Sequence, residues 1–117
     1  NNIFLYESEI SSLAFNEDFY DNIKKLEPFG TGNPVPTFLL RRLKIIKPMV
    51  LNKKHISLNL KSKTGFSIKS ISFNSINTKL GEYLMNYKNK IDVIGQINEN
   101  IWNNKKSNQL TIKDLIL

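Results

Sequence analysis

Three of the four prolines and two of the five glycines of this chain fall within residues 28–36, in the stretch Leu26-Glu27-Pro28-Phe29-Gly30-Thr31-Gly32-Asn33-Pro34-Val35-Pro36-Thr37-Phe38. Each proline fixes its own φ, pushes the residue before it towards extended geometry and removes a backbone donor, while Gly30, Gly32 and Asn33 can take positive φ. No helix can run through such a stretch, so it divides the chain. Residues 1–27 hold six acids against two lysines, a balance of −4, which leaves residues 28–117 with four acids against fifteen basic residues, a balance of +11. A field of that sign draws polyanions, nucleic acid first and an anionic membrane surface second. The bland alternative is compositional: abundant Asn, Lys and Ile suit an AT-rich genome, which loads lysine onto any solvated face.

At 117 residues the chain fits one compact unit with a sizeable core. We divide it into a lead-in over 1–36 and a domain over 37–117. The absence of cysteine rules out a disulfide framework and thiolate zinc, and makes an intracellular, cytoplasmic setting the default. No apolar run approaches the roughly 20 residues of a membrane span, and residues 1–6 lack the basic start of a signal peptide. The expectation is a soluble chain with no membrane partner. It begins without Met on what reads as mid-strand sequence, so we expect a piece of a longer protein.

The spacing predicts a strand from Ile3 to Ile10 and a helix over Glu17–Leu26, capped by Asn16, with acids in its first turn and Lys24 and Lys25 in its last. Glu17, Asp18 and Asp21 are dipole partners in this reading rather than metal ligands. Phe38–Val50 reads as a long basic strand, bulged where its alternation slips at Ile45-Ile46 and ended by Pro48. His55–Lys61 alternates cleanly, with Ile56, Leu58 and Leu60 on one face, and Lys63-Thr64-Gly65 turns into a returning strand over Phe66–Phe73, with a second bulge expected at Lys69-Ser70. Leu80, Tyr83, Leu84 and Tyr87 give helical spacing over Asn77–Tyr87 despite Gly81, and this element should plug an open end. A strand over Ile91–Ile97 carries Gly95 where curvature or close approach is needed. Asn103-Asn104 turns the chain into a last strand over Gln109–Leu117, with Leu110, Ile112 and one of Leu115 or Leu117 facing in.

That order predicts a mainly β protein: a five-stranded OB-fold-like barrel with an N-terminal strand-helix lead-in and a short helix between barrel strands 3 and 4. Such barrels bind oligonucleotides across strands 2 and 3 and through the loops joining strands 1–2 and 4–5. An SH3-like barrel is the nearest rival, and the position of the helix favours the OB reading.

The stretch from Leu26 to Phe38 resembles the junction motif of the RecJ single-strand-specific DNA exonucleases: leucine, acid, proline, phenylalanine, glycine, any, glycine, asparagine, proline, any, proline, any, phenylalanine. Ile71-Ser72-Phe73 resembles that family's alanine-isoleucine-x-phenylalanine strand, and Asp92-Val93-Ile94-Gly95, Asn100, Trp102, Gln109-Leu110 and Asp114 resemble its closing pair of strands. The resemblance spans essentially the whole chain as a C-terminal OB domain with its lead-in. It implies a domain that helps hold single-stranded DNA while DHH and DHHA1 domains of the same polypeptide, using manganese or magnesium, degrade the strand 5′ to 3′ in DNA repair and recombination. The metal-binding aspartate and histidine motifs of those domains are missing here, so the resemblance carries over no catalytic residue, no metal ligand and no cofactor, and this stretch by itself is expected to be inert. The family commonly has glycine where this chain has Asn104, and asparagine is the next most tolerant of positive φ.

Binding a single strand without sequence preference takes cations along the backbone and flat rings on which bases stack. The candidates are Lys53, Lys54 and His55 on the loop between barrel strands 1 and 2; Asn59, Lys61 and Lys69 on strands 2 and 3; and Trp102, Lys105 and Lys106 on the loop between strands 4 and 5. Trp102 reads equally well as a stacking ring or as a cap on the barrel end. His55 reads as a polar strand-start residue, and without His or Cys partners it is no zinc ligand. Phe66 is a core residue before it is a stacking ring. Arg41 and Arg42 face either the DNA path or acids on neighbouring domains. The Gly30–Asn33 amides can form an anion nest, but a rigid inter-domain elbow explains every proline and glycine there. Two other functions stay open on the residues alone: a protein-interaction barrel docking a repair partner or the catalytic core, and an RNA-binding OB module.

Overall fold

The computed structural model describes residues 10–11, 37–63 and 67–117, without the side chains of residues 10, 11, 99–102 and 106. Among the described residues six strands and one helix follow in the order β1 (Ile10–Ser11), β2 (Thr37–Leu51), β3 (His55–Lys61), β4 (Ser67–Ser72), α1 (Lys79–Asn86), β5 (Ile91–Trp102) and β6 (Lys105–Ile116). Five of them close a barrel: β2 pairs with β3, β3 with β4, β4 with β6, β6 with β5, and β5 returns to β2. All these pairings are antiparallel except β4 with β6. That circuit, with the helix between the third and fourth barrel strands, is the OB arrangement and not the SH3-like one. β1 adds to the side of β2 in parallel, Ile10 opposite Leu40 and Ser11 opposite Arg41. The predicted helix over Glu17–Leu26, the proline-glycine stretch up to Pro36 and Phe66 lie outside the described residues.

Alternation builds the core. Phe38, Leu40 and Leu43 from β2, Ile56, Leu58 and Leu60 from β3, Ile68 from β4, Ile91, Val93 and Ile97 from β5, and Leu110 and Ile112 from β6 are buried in one cluster with Leu84 of the helix. Leu115 packs partly against it, whereas Leu117 is exposed. Among the described residues no helix is long and apolar enough to cross a membrane.

A barrel this small needs β2 to leave β5 and join β3, and two bulges on β2 make that bend. Between Leu40 and Leu43 the register with β5 shifts, so Arg41 and Arg42 together oppose Asp92. Arg42 takes φ 59° and its backbone N–H donates to Asp92 Oδ1 at 3.0 Å, while Arg41 Nε lies 4.0 Å from Asp92 Oδ2. The acid that Arg41 meets thus belongs to its own barrel. The second shift lies between Ile46 and Met49, just beyond the slip at Ile45-Ile46. Pro48 does not end the strand as its missing donor suggests; it sits in this bulge beside Lys47 at φ 48°, where the ladder is already interrupted and no N–H is needed.

The expected second bulge at Lys69-Ser70 is absent: the β3–β4 ladder runs in even register from Ile56↔Ser72 to Lys61↔Ser67. The apolar alternation breaks there because serines occupy inward positions. Ser70 and Ser72 are buried where β6 crosses in parallel, with Ser70 opposite fully buried Leu110. The Ser70 hydroxyl donates to the Ile68 carbonyl at 3.2 Å.

The helix is shorter than its spacing predicts. Asn77 takes φ 66°, and Thr78 caps α1 by accepting the Gly81 N–H at 3.1 Å. Fully buried Leu84 enters the barrel core, with Leu80, Met85 and Tyr87 packed against its rim. Gly81 is what lets the helix seat: a Cβ there would lie 1.9 Å from the Ser75 carbonyl oxygen. Gly95 is a close approach too, with a would-be Cβ 2.6 Å from the Thr111 carbonyl oxygen.

Candidate nucleic-acid interface

Directly opposite residues of an antiparallel pair share a face, so the ladders define what the outer side of β2, β3 and β4 displays. One row reads Lys44, Lys61, Ser67; the next Ile46, Asn59, Lys69; the next Met49, Ser57, Ile71; and beyond these Leu51 stands opposite His55. Lys44, Lys61, Lys69, Met49 and Leu51 are exposed, Ile46, Ser57, Asn59 and His55 half-buried, and Ile71 buried. The structure therefore brings Asn59 and Lys69 side by side and sets Lys61 one row away. Lys53 and Lys54, both exposed, occupy the turn that delivers His55 to the start of β3.

That turn is tight. Asn52 and Lys53 take φ 52° and 61°, and the Lys54 N–H donates to the Leu51 carbonyl at 3.2 Å. The Lys54 carbonyl accepts the Ile76 N–H at 3.1 Å, which ties the turn to the segment between β4 and α1. His55 is held from the same side: its Nδ1 accepts the Asn74 backbone N–H at 2.9 Å, so in this arrangement Nδ1 carries no proton. Its ring meets Phe73 edge-on, with centroids 5.2 Å apart and planes at 78°.

The remaining candidates lie on the β5–β6 hairpin. Past the last pairings with β2 (Thr37↔Gln96) and β4 (Ser70↔Leu110), this hairpin continues, among the described residues, as a two-stranded ribbon to Trp102↔Lys105. Asn103 and Asn104 make its turn at φ 50° and 63°, the positive φ pair that a two-residue hairpin turn requires. Lys105 is exposed, and Lys106 follows it at the next register position, opposite Ile101. The ring of Trp102 and the side chain of Lys106 lie outside the described residues. The ladders of the β2–β3–β4 face include none of these three residues.

Sequence reasoning passes over two residues of that face. Lys44 reads as one cation among many along Phe38–Val50, and only the register sets it directly opposite Lys61. Phe73 reads as the end of a strand and of the Ile71-Ser72-Phe73 resemblance, not as a contact. The available signal is its phase: it continues the outward series of Lys69 and Ile71, next to Asn74, and it is 53% exposed. Counted along the chain, residues 37–72 hold nine basic residues and no acid. Among the described residues no group of three or more His, Cys, Asp or Glu could hold a metal ion.

The family profile described as the RecJ OB domain matches residues 6–114. The single-stranded-DNA-specific exonuclease RecJ of Bacillus subtilis is 31% identical over 91 residues, which are 76% of this chain and 11% of that protein; the chain thus spans about a tenth of the length of this curated relative. Among solved structures, RecJ from Thermus thermophilus in complex with Mn2+ superposes with a TM-score of 0.59 at 22% identity, covering 86% of this chain and 14% of that one. Rim1, a mitochondrial single-stranded DNA binding protein of S. cerevisiae, superposes with a TM-score of 0.53 at 11% identity, covering 70% of this chain and 91% of that one. These two likenesses concern the fold.

Proposed function

The chain belongs to the RecJ OB-domain family, and from that premise we propose that it is the single-stranded-DNA-binding accessory domain of a RecJ-like 5′ to 3′ exonuclease that serves DNA repair and recombination. The observation that carries the reading is the outer face of β2, β3 and β4, where Lys44, Lys61 and Lys69 stand exposed within a stretch of nine basic residues and no acid. Like charges directly opposite on a sheet destabilise it, and Lys44 opposite Lys61 is such a pair. A phosphate lying between the two ammonium groups removes that repulsion, so the face is better matched to a bound polyanion than to water. In this reading residues 1–36 are the lead-in that joins the barrel to DHH and DHHA1 domains, which hold the manganese or magnesium and supply the hydrolysis. The barrel supplies grip on the strand.

The test is fluorescence anisotropy of a labelled thymidine oligonucleotide titrated with the chain across a salt series. Log affinity should fall linearly with log salt, by about 0.7 per phosphate contact on a single strand. Replacing Lys61 and Lys69 together with Ala should weaken binding and make the slope shallower by about 1.4. The reading fails if the chain does not bind the strand at low salt. It fails equally if heparin and duplex DNA bind as well as the single strand and the double variant behaves like the unmodified chain, which is the pattern of a generic basic surface or a protein-docking barrel.

A further inference from the structure

Phe73 is a large aromatic ring left 53% exposed, yet the residues around it are held in place. It follows the last residue of β4, and from there to the helix the chain is fixed by three backbone donations: Asn74 N–H to His55 Nδ1 at 2.9 Å, Ile76 N–H to the Lys54 carbonyl at 3.1 Å and Thr78 N–H to the Ser75 carbonyl at 3.1 Å. Asn74 sits at φ 53°, a conformation that asparagine tolerates better than most residues. The His55 ring, oriented by Asn74, stands at 78° to Phe73. In an edge-to-face pair only one ring presents its face to the other, so faces remain available for a third π-system. Exposed Met49 and Leu51 lie on the same side of the sheet, and exposed Lys53 and Lys54 flank the corner on the turn before His55. No acid occurs anywhere in residues 37–81.

We propose that Phe73, braced by His55, is a stacking site for one unpaired base of a DNA strand, with Lys53 and Lys54 on the adjoining phosphates. The inference deepens the proposed function and rests on it. An exposed hydrophobic ring gains nothing from water, whereas stacking on a base covers its free face and tolerates any of the four bases. The His55 ring set edge-on against Phe73 favours one placement of the ring, which lowers the rotamer freedom it gives up on binding. The same corner serves as the end-stop of the basic face: phosphates track along Lys44, Lys61 and Lys69, and Phe73 stands where that outer face meets the turn between β2 and β3.

The test compares Phe73→Ala, Phe73→Leu and Phe73→Trp with the unmodified chain, each confirmed folded by thermal melting, on a thymidine oligonucleotide and on an abasic oligonucleotide of equal length and charge. Phe73→Ala and Phe73→Leu should weaken binding to the thymidine strand by roughly 5- to 100-fold with the salt slope unchanged, and Phe73→Trp should restore it. All four proteins should bind the abasic strand alike. The inference is overturned if Phe73→Leu binds thymidine as well as the unmodified chain, since apolar cover and not stacking would then suffice, or if Phe73→Ala weakens the abasic strand equally, since its role would then be structural. Loss of binding in the Lys61, Lys69 double variant alongside wild-type affinity in Phe73→Ala overturns the stacking site alone and leaves the DNA-binding reading standing. Failure of the unmodified chain to bind either strand overturns both.

Discussion

Replacing Gly81 with Ala sets two opposing terms against each other, and the geometry decides between them. In an unobstructed helix interior the change gains about 1 kcal/mol, because alanine loses less backbone entropy. Here the added Cβ would stand 1.9 Å from the Ser75 carbonyl oxygen, 2.8 Å from its carbon and 3.1 Å from Ile56 Cδ1. The first two are backbone atoms and cannot rotate away. The Ser75 oxygen also accepts from the Thr78 N–H and the Thr78 hydroxyl, and that hydroxyl caps the helix through the Gly81 N–H. Moving the helix off the barrel loosens this cap, at about 1 kcal/mol, and disturbs packing around Ile56, at about 1–3 kcal/mol for an overfilled core. The net is a destabilisation of about 1–3 kcal/mol, which lowers the melting temperature on the order of 10 °C for a domain of this size. Circular dichroism melts measure it, and amide exchange locates it: the Asn74 and Ile76 amides, bonded to His55 and Lys54, should lose protection first. A variant that melts at or above the temperature of the unmodified chain would refute the claim that Gly81 is needed for the helix to seat.

Two further substitutions probe the backbone that shapes the barrel. Asp92→Ala removes the acceptor of the Arg42 N–H and the partner of Arg41 at the first bulge; because that bond is exposed, a loss of about 1 kcal/mol is expected, read as a lower urea midpoint with an unchanged m-value. Asn104 takes φ 63°, so Asn104→Gly should change stability by no more than about 0.5 kcal/mol, whereas Asn104→Val should cost about 1–2 kcal/mol in the same urea titration.

The strands that alternate were legible from the sequence, and so was the barrel. Ile56, Leu58 and Leu60 announce an inward face with period 2, and Gly95 marks a close approach that the Thr111 carbonyl bears out. What misled were positions where tertiary packing changes what a residue is asked to do. Pro48 reads as a terminator because it lacks a donor, yet a bulge is a place where a strand needs none. Ser70 and Ser72 break the apolar rhythm because small side chains are accommodated beside Leu110, so a packing constraint imitates a register slip. The candidate site was legible by halves. Asn59, Lys61 and Lys69 follow from alternation alone, since polar residues between core positions must face out. Lys44 needed the register of β2 against β3, which two bulges shift and periodicity cannot count. Phe73 needed the knowledge that the chain leaves β4 one residue earlier, leaving an aromatic ring with no core to enter.

Compositional bias remains the simplest account of so many lysines, but it predicts something the chain does not do. A genome that favours lysine codons adds cations wherever the surface tolerates them and gives no reason for acids to avoid the same surface. The chain has ten acids; six fall in residues 1–27 and none in residues 37–72, the span of the first three barrel strands. The rest of the barrel, residues 73–117, mixes six basic residues with four acids, as a merely solvated face does. The segregation follows the strands. It also has a cost, since Lys44 and Lys61 repel across one ladder while no acid of β2, β3 or β4 offsets them. If the face binds a strand as proposed, added salt acts in opposite directions on its two properties, screening the repulsion that weakens the free barrel and diminishing the counterion release that would drive the strand onto it.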